Sequence, residues 1–146
     1  MKKRIFKYRA VGIILFLIEL FVAILFGYGA TVSFEDFENV ENLTLDHIVF
    51  PFALLIFLTS LLCLISLVLK GKKTVMFLNI HYIIIAIFFA FGFMKQLYEG
   101  AVISEDLTIF IVVFSVLAVL LFIINFFKYK RIDFLEIDEI GTQNLN

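Results

Sequence analysis

The chain has 146 residues, of which 63% are hydrophobic, and its mean hydropathy of +1.09 far exceeds that of an ordinary soluble domain. Its net charge of -1 gives no basic surface for nucleic acid, and its single cysteine excludes an intrachain disulfide or a cluster of thiolate ligands. The composition therefore predicts an integral membrane protein, and its many Phe and Ile residues, with Lys outnumbering Arg, indicate a bacterial host.

Four apolar segments are long enough to cross about 30 Å of hydrocarbon as helices that rise about 1.5 Å per residue. They are residues 10–30, 48–69, 75–94 and 107–127. None has the short alternating strands of a membrane barrel. The sequence predicts an all-α fold, with an antiparallel four-helix bundle in the membrane as domain 1–127 and a tail at 128–146.

Basic residues occur before the first span, between the second and third spans, and after the fourth span. The positive-inside rule therefore places both termini in the cytoplasm and the two acidic connections outside, which describes a multi-pass protein of the cytoplasmic (inner) membrane. In the first outer connection, apolar residues recur every three positions between acids. This spacing predicts a short amphipathic helix containing Phe34, Phe37, Val40 and Leu43.

The first span has one acid, Glu19, inside the apolar run LFLIELFVAIL. The surrounding Leu, Ile, Val and Phe residues outweigh its insertion penalty of about 3 kcal/mol. An ionisable residue inside a membrane is nevertheless a candidate functional residue. Helical spacing places Glu19 on one face with Gly12, Ala23 and Gly27, and such small residues allow a second helix to approach closely.

The second and fourth spans have similar stripes of small or polar residues. In the second span the stripe is Thr59, Cys63 and Ser66, and in the fourth it is Thr108, Ile111, Ser115, Ala118, Phe122 and Asn125. Such stripes are typical of contacts between membrane helices. The predicted helix-packing face comprises Gly12, Ala23, Gly27, Cys63, Ser66, Ser115 and Ala118.

The third span has polar residues on two sides. A helix turns by about 100° per residue. With this rotation Asn79 and Ala86 lie on one side, and His81 and Ile85 lie roughly on the opposite side. Either one polar group leaves the bundle core, or this helix contacts protein on both sides. The second alternative fits a homo-oligomer or a partner subunit.

Depth in the membrane selects the candidate partners of Glu19. Counted from the cytoplasmic ends, Glu19 is about 13 Å deep, Thr59 and Ser60 about 13 to 15 Å, His81 about 9 Å and Tyr82 about 10 Å. A protonated Glu19 could donate a hydrogen bond to Thr59, Ser60 or a backbone carbonyl and so hold helices together. A hydrogen bond of this kind stabilises the contact between two membrane helices by about 1 kcal/mol. Alternatively, Glu19 could share a proton with His81 in a relay, or pair with another subunit.

No constellation of residues predicts an enzyme, a cofactor or a metal site. The two histidines, His47 and His81, lie near opposite membrane faces, so one chain cannot use them as the two axial ligands of a haem. The spans contain neither a set of Ser, His and Asp residues nor a CxxC motif. One Glu and one His alone make a poor active site.

These observations favour a non-enzymatic accessory or interaction subunit that binds a membrane protein in the bilayer or forms a homo-oligomer. An immunity-type protein is a special case, because the acidic outer surface would suit a cationic toxin. The alternative is a proton-coupled small-solute transporter or channel that uses Glu19. A third possibility is a self-assembling pore or effector with Glu19, Asn79 and Ser115 facing water.

Overall fold

The computed structural model describes residues 5–38, 45–98, 100 and 104–129. Over these ranges the chain is helical and forms no β-strand. Its elements are α1 (Arg9–Glu38), a 3-10 helix (Leu45–Ile48), α2 (Val49–Leu69), α3 (Thr74–Tyr98) and α4 (Ser104–Phe126). Each of the four α-helices contains a stretch that is long and apolar enough to cross a membrane. For the described residues, this confirms the prediction of an all-helical chain with four helices able to span a membrane.

The first helix is longer than the span predicted for it. At about 1.5 Å per residue, its 30 residues extend about 45 Å, well beyond a hydrocarbon core of about 30 Å. Phe34 and Phe37, predicted in a separate amphipathic helix, lie on the last turns of α1, and their rings are 5.3 and 5.2 Å from the ring of Phe50. The remainder of that predicted helix, at 39–44, and the tail at 130–146 lie outside the described residues.

Helices that follow one another in the chain pack against each other, and the α1–α2 contact is the most extensive. Side chains also connect α1 to α3, where the rings of Phe26 and Phe88 meet edge to face at 5.7 Å. The helices bury one face each because their inward residues recur every three or four positions. On α1 these residues are Leu15, Glu19, Ala23, Phe26 and Ala30, and on α2 they are Ala53, Ile56, Ser60, Cys63 and Leu67.

The two ends of the bundle domain meet. Lys7 N–H donates to the carbonyl of Phe127 at 2.8 Å, and Tyr129 N–H donates to the carbonyl of Ile5 at 2.8 Å, which forms one antiparallel bridge. The beginning of α1 and the end of α4 therefore lie at the same end of the bundle, as an even number of antiparallel helices requires.

The connection between α2 and α3 is a tight turn. Lys70 ends α2 in the left-handed conformation, with φ 51° and ψ 47°. The carbonyl of Ser66 accepts hydrogen bonds from Gly71 N–H at 3.1 Å and from the hydroxyl of Thr74 at 2.9 Å. These bonds satisfy the end of α2 and link it to the first residue of α3.

Replacing Lys70 with glycine should stabilise the chain by about 0.5 kcal/mol, because glycine adopts a positive φ without steric cost. Lys72→Gly is the matched control: it removes the same charge from the same turn, at a residue that does not have a positive φ. Unfolding in mixed detergent micelles measures both variants. A gain for Lys72→Gly equal to that for Lys70→Gly would contradict this explanation.

Candidate functional site

The structure brings Glu19 of α1 and His81 of α3 into contact. Both side chains are completely buried, and Glu19 Oε2 lies 3.2 Å from His81 Nε2. Glu19 has no exposed surface because it lies on the buried side of α1, between Leu15 and Ala23. A carboxyl group and an imidazole, the two groups proposed for a relay, are thus neighbours in the interior of the bundle.

Helix α2 contributes Ser60 to the same cluster. The Ser60 hydroxyl lies 3.0 Å from Glu19 Oε2 and 2.8 Å from the backbone carbonyl of Glu19. The side chain of Ser60 is completely buried, and its small size allows α1 and α2 to approach closely here. Ser60 therefore joins these two helices directly at the depth of the acid.

Thr59, the neighbour of Ser60, contacts the imidazole instead of the carboxyl group. Its hydroxyl lies 2.8 Å from His81 Nδ1, 2.8 Å from the carbonyl of Leu55 and 3.1 Å from that of Ile56. Its single hydrogen bonds back to the α2 backbone, as is common for helical threonine, so we assign the Nδ1 hydrogen to His81. In this tautomer the lone pair of Nε2 faces the side of the ring where Glu19 lies.

Several polar atoms of the cluster have no hydrogen bond. By strict geometry they are Glu19 Oε1, His81 Nε2, which lies 3.2 Å from Glu19 Oε2 without alignment, and the hydroxyl of Tyr82, which still interacts with the Glu19 carboxyl group and lies near Cys63. All three side chains are at most 1% exposed. Because a buried polar atom without a partner costs about 1 to 3 kcal/mol, such atoms are uncommon and indicate a group that has a further ligand or a special role.

Cys63 completes a set of three metal-ligating side chains. Its sulfur, a carboxylate oxygen of Glu19 and a ring nitrogen of His81 all lie within 4.8 Å of one another, and all three residues are buried. This set was not predicted, because the sequence placed Cys63 on the helix-packing face of α2 and did not indicate that it meets Glu19 and His81. The available signal was helical spacing, since Cys63 lies one turn after Ser60 on the same face of α2.

Asn79 lies apart from this cluster. Its amide pairs with the amide of Asn125 on α4, with nitrogen-to-oxygen distances of 3.2 and 2.9 Å in the two directions. Asn125 also donates to the carbonyl of Leu121 at 2.8 Å. The two polar sides of α3 thus have partners within the chain: His81 contacts α1 and α2, and Asn79 contacts α4.

The residues predicted for the helix-packing face are buried or half-buried on α1 and α2 and exposed on α4. Ala23 and Cys63 are buried and Gly12, Gly27 and Ser66 are half-buried, whereas Ser115 and Ala118 lie on the exposed side of α4. The buried side of α4 instead has large aliphatic residues, which fill the space next to α3 and gain dispersion energy there. These residues are Leu117, Leu120 and Ile124.

The length and composition of its four helices make the chain a multi-pass, four-helix membrane protein, and its most unusual feature is the polar cluster buried among α1, α2 and α3. No protein-family model, curated protein or solved structure that was compared with the sequence matches it.

Proposed function

We propose that the chain is a non-enzymatic interaction subunit of a complex in the cytoplasmic membrane and that it binds its membrane-protein partner through α4. The main support for this proposal is the exposure of α4. In the most apolar stretch of α4, 11% of the residues are buried inside the chain, compared with 28% in α2 and 22% in both α1 and α3. A helix with so few intrachain contacts has the largest surface left for another protein.

The exposed side of α4 also has the chemistry of a helix contact. Ser115 and Ala118 are small and lie at the middle of the helix, between Ile111 and Phe122, which are 58% and 63% exposed. We call these four residues the outer face of α4. The hydroxyl of Ser115 donates to the carbonyl of Ile111 at 2.7 Å, so a partner helix could approach here without leaving that hydroxyl unsatisfied.

The other spans offer less support for a partner. The two-sided polarity of α3, which had suggested a neighbouring subunit, is satisfied by α1, α2 and α4 within one chain. Helices α1 and α2 have their small and polar residues against each other. The outer face of α4, with the small residues Ser115 and Ala118 at its centre, is therefore left uncovered by the described part of the chain.

The proposed orientation places both chain ends in the cytoplasm. Residues 5–7 and 127–129 lie together at one end of the bundle. The sequence is basic next to both segments, at 2–9 and 128–131. The acidic connections would then face outward. An immunity-type subunit that meets a cationic toxin remains a special case of this proposal.

Purification of the tagged chain from its own membrane in mild detergent, followed by native mass spectrometry, tests the proposal. We expect a second protein in stoichiometric amount, and at least a 10-fold loss of it in Ala118→Phe, because the bulky ring prevents close helix approach. Val116→Phe is the matched control: Val116 is 52% exposed and lies about 160° around α4 from Ala118. Recovery of the native chain alone, or only as a homo-oligomer, would contradict the proposal.

The contact between Glu19 and His81 favours a second candidate function, a proton-coupled transporter or channel. A carboxyl group and an imidazole 3.2 Å apart can exchange a proton inside the membrane. This function predicts proton or solute flux in liposomes that is lost in Glu19→Gln. The pore alternative lacks such support, because Glu19 is buried while Ser115 lies on the outside of α4, so the two residues share no surface of one chain.

A further inference from the structure

We propose that Glu19, Cys63 and His81 form a binding site for a divalent transition-metal ion and that Zn²⁺ is the ion the donors match best. The site is formed by α1, α2 and α3 and is independent of the proposed contact at α4. Three helices each contribute one ligand, so a bound ion would crosslink the core of the bundle.

The separations of the ligand atoms suit a tetrahedral ion. With bonds of about 2.0 to 2.3 Å, two ligand atoms of tetrahedral zinc lie about 3.3 to 3.6 Å apart. Glu19 Oε2 and His81 Nε2 are 3.2 Å apart, and all separations in the set of three are within 4.8 Å. Contraction by about 1 Å at the widest separation would therefore bring all three atoms to bonding distance of one ion.

The histidine is oriented as a metal ligand. Its Nδ1–H donates to the hydroxyl of Thr59 at 2.8 Å, which leaves the Nε2 lone pair for an ion. A hydrogen bond at the second ring nitrogen is the usual way in which proteins fix the tautomer of a ligating histidine. Nε2 forms no aligned hydrogen bond with Oε2 despite their short separation. A metal ion bound by Nε2 and Oε2 lies to one side of the line that joins these two atoms. The two atoms therefore do not need the straight alignment that a hydrogen bond between them would require.

The charges of the site would balance. A carboxylate and a thiolate carry two negative charges, a neutral imidazole carries none, and Zn²⁺ supplies two positive charges. A net charge of zero matters here because a residual charge in a low-dielectric interior costs several kcal/mol. Without the ion, the Nε2 lone pair and Oε2 would repel each other at 3.2 Å unless one proton lies on either atom.

Binding is thus an exchange of one Zn²⁺ for two protons. One proton leaves the Cys63 thiol, and the second leaves the pair formed by Glu19 and His81. Bonds form from zinc to sulfur, oxygen and nitrogen, and the net charge of the site stays at zero. No atom is oxidised or reduced. The affinity should therefore increase with pH, since ligands must lose their protons before they bind.

The donor set selects the metal. Carboxylate oxygens alone would suit Mg²⁺ or Ca²⁺, whereas a set of one sulfur, one nitrogen and one oxygen suits Zn²⁺, which binds all three ligand types. Three protein ligands leave a fourth position, as in zinc sites that keep one position open. The buried hydroxyl of Tyr82, which interacts with Glu19 and lies near Cys63, borders the site and could orient a fourth ligand.

Titration of the full chain with Co²⁺ tests the proposal. The protein should have an affinity tag without histidine and should be kept in detergent with a chemical reductant. Co²⁺ reports tetrahedral sites by visible absorption and reports a cobalt–thiolate bond by a charge-transfer band in the near ultraviolet. Because the chain has a single cysteine, that band can arise only from Cys63. We expect saturation at one Co²⁺ per chain, displacement by Zn²⁺, and release of two protons per ion.

Variants identify the ligands. Cys63→Ser should lose the charge-transfer band, and His81→Gln should bind at least about 10-fold more weakly. His47→Gln is the control, since it removes the other histidine and should leave binding unchanged. Ala118→Phe, which tests the contact at α4, should also retain the band, so the two proposals can fail separately.

The native chain makes the test independent of how the variants fold. Absence of the charge-transfer band from the unaltered protein in excess Co²⁺ would overturn the proposal. So would Zn²⁺ binding that is equal in the native chain and in a Cys63→Ser variant with an unchanged helical spectrum.

Discussion

Glu19→Ala should lower the free energy of unfolding by about 2 kcal/mol when a chelator keeps the chain free of metal. About 1 kcal/mol arises from loss of the polar contact with His81, and the remainder from the cavity left inside the bundle. Ser60 limits the loss, because its hydroxyl still has the backbone carbonyl of residue 19 as an acceptor. Unfolding in mixed detergent micelles, followed by circular dichroism, measures the change.

Two comparisons separate the contact from general effects on α1. Ile24→Ala truncates a side chain on the same helix that is 65% exposed, and its effect should stay within about 0.5 kcal/mol. A double-mutant cycle with His81→Ala should give a coupling energy of about 1 kcal/mol. Additive losses in that cycle would mean that the two side chains do not stabilise each other.

Gly27→Leu should destabilise the chain by about 2 kcal/mol or more, because it forces α1 and α2 apart at a close contact. A Cβ at position 27 would lie 3.1 Å from two ring carbons of Phe57, and leucine adds three further carbons in that direction. Overpacking of this kind typically costs about 1 to 3 kcal/mol. The same unfolding measurement applies.

Gly29→Leu provides a matched control two residues away on the same helix. A Cβ at Gly29 would meet nothing within 4 Å, so leucine has space there and restores helix propensity of about 0.5 to 1 kcal/mol. We expect Gly29→Leu to be neutral or slightly stabilising. Equal losses in the two variants would indicate a general intolerance of leucine in this part of α1, and the explanation from the Phe57 contact would be wrong.

A metal ion bound in the polar cluster would increase the loss of unfolding free energy that Glu19→Ala causes. With Zn²⁺ present, the stability of the native chain should increase with ion concentration, since a ligand that binds only the folded state stabilises it by mass action. Glu19→Ala should lose most of this increase, whereas Gly29→Leu should retain it. Measuring each variant with and without chelator therefore separates the helix contact from the effect of the ion.

The sequence could predict an acid on the inward face of α1, but it could not select the partner of that acid. Thr59 and Ser60 are adjacent and equally deep, and they differ by about 100° around α2. The structure places Ser60 against Glu19 and Thr59 against His81. Rotation of a helix about its own axis decides such a choice, and depth contains no information on that rotation.

The sequence alone determined the number of spans, their helical state and the presence of an acid inside the first one. These features follow from the hydropathy of continuous segments and from the need to satisfy every backbone group in lipid, so each segment decides them locally. Only the tertiary structure decided that Glu19, Cys63 and His81 meet and that Ser115 and Ala118 face outward. Those outcomes depend on how three or four helices are rotated and packed together, which is a property of their combined side chains and cannot be inferred from any one segment.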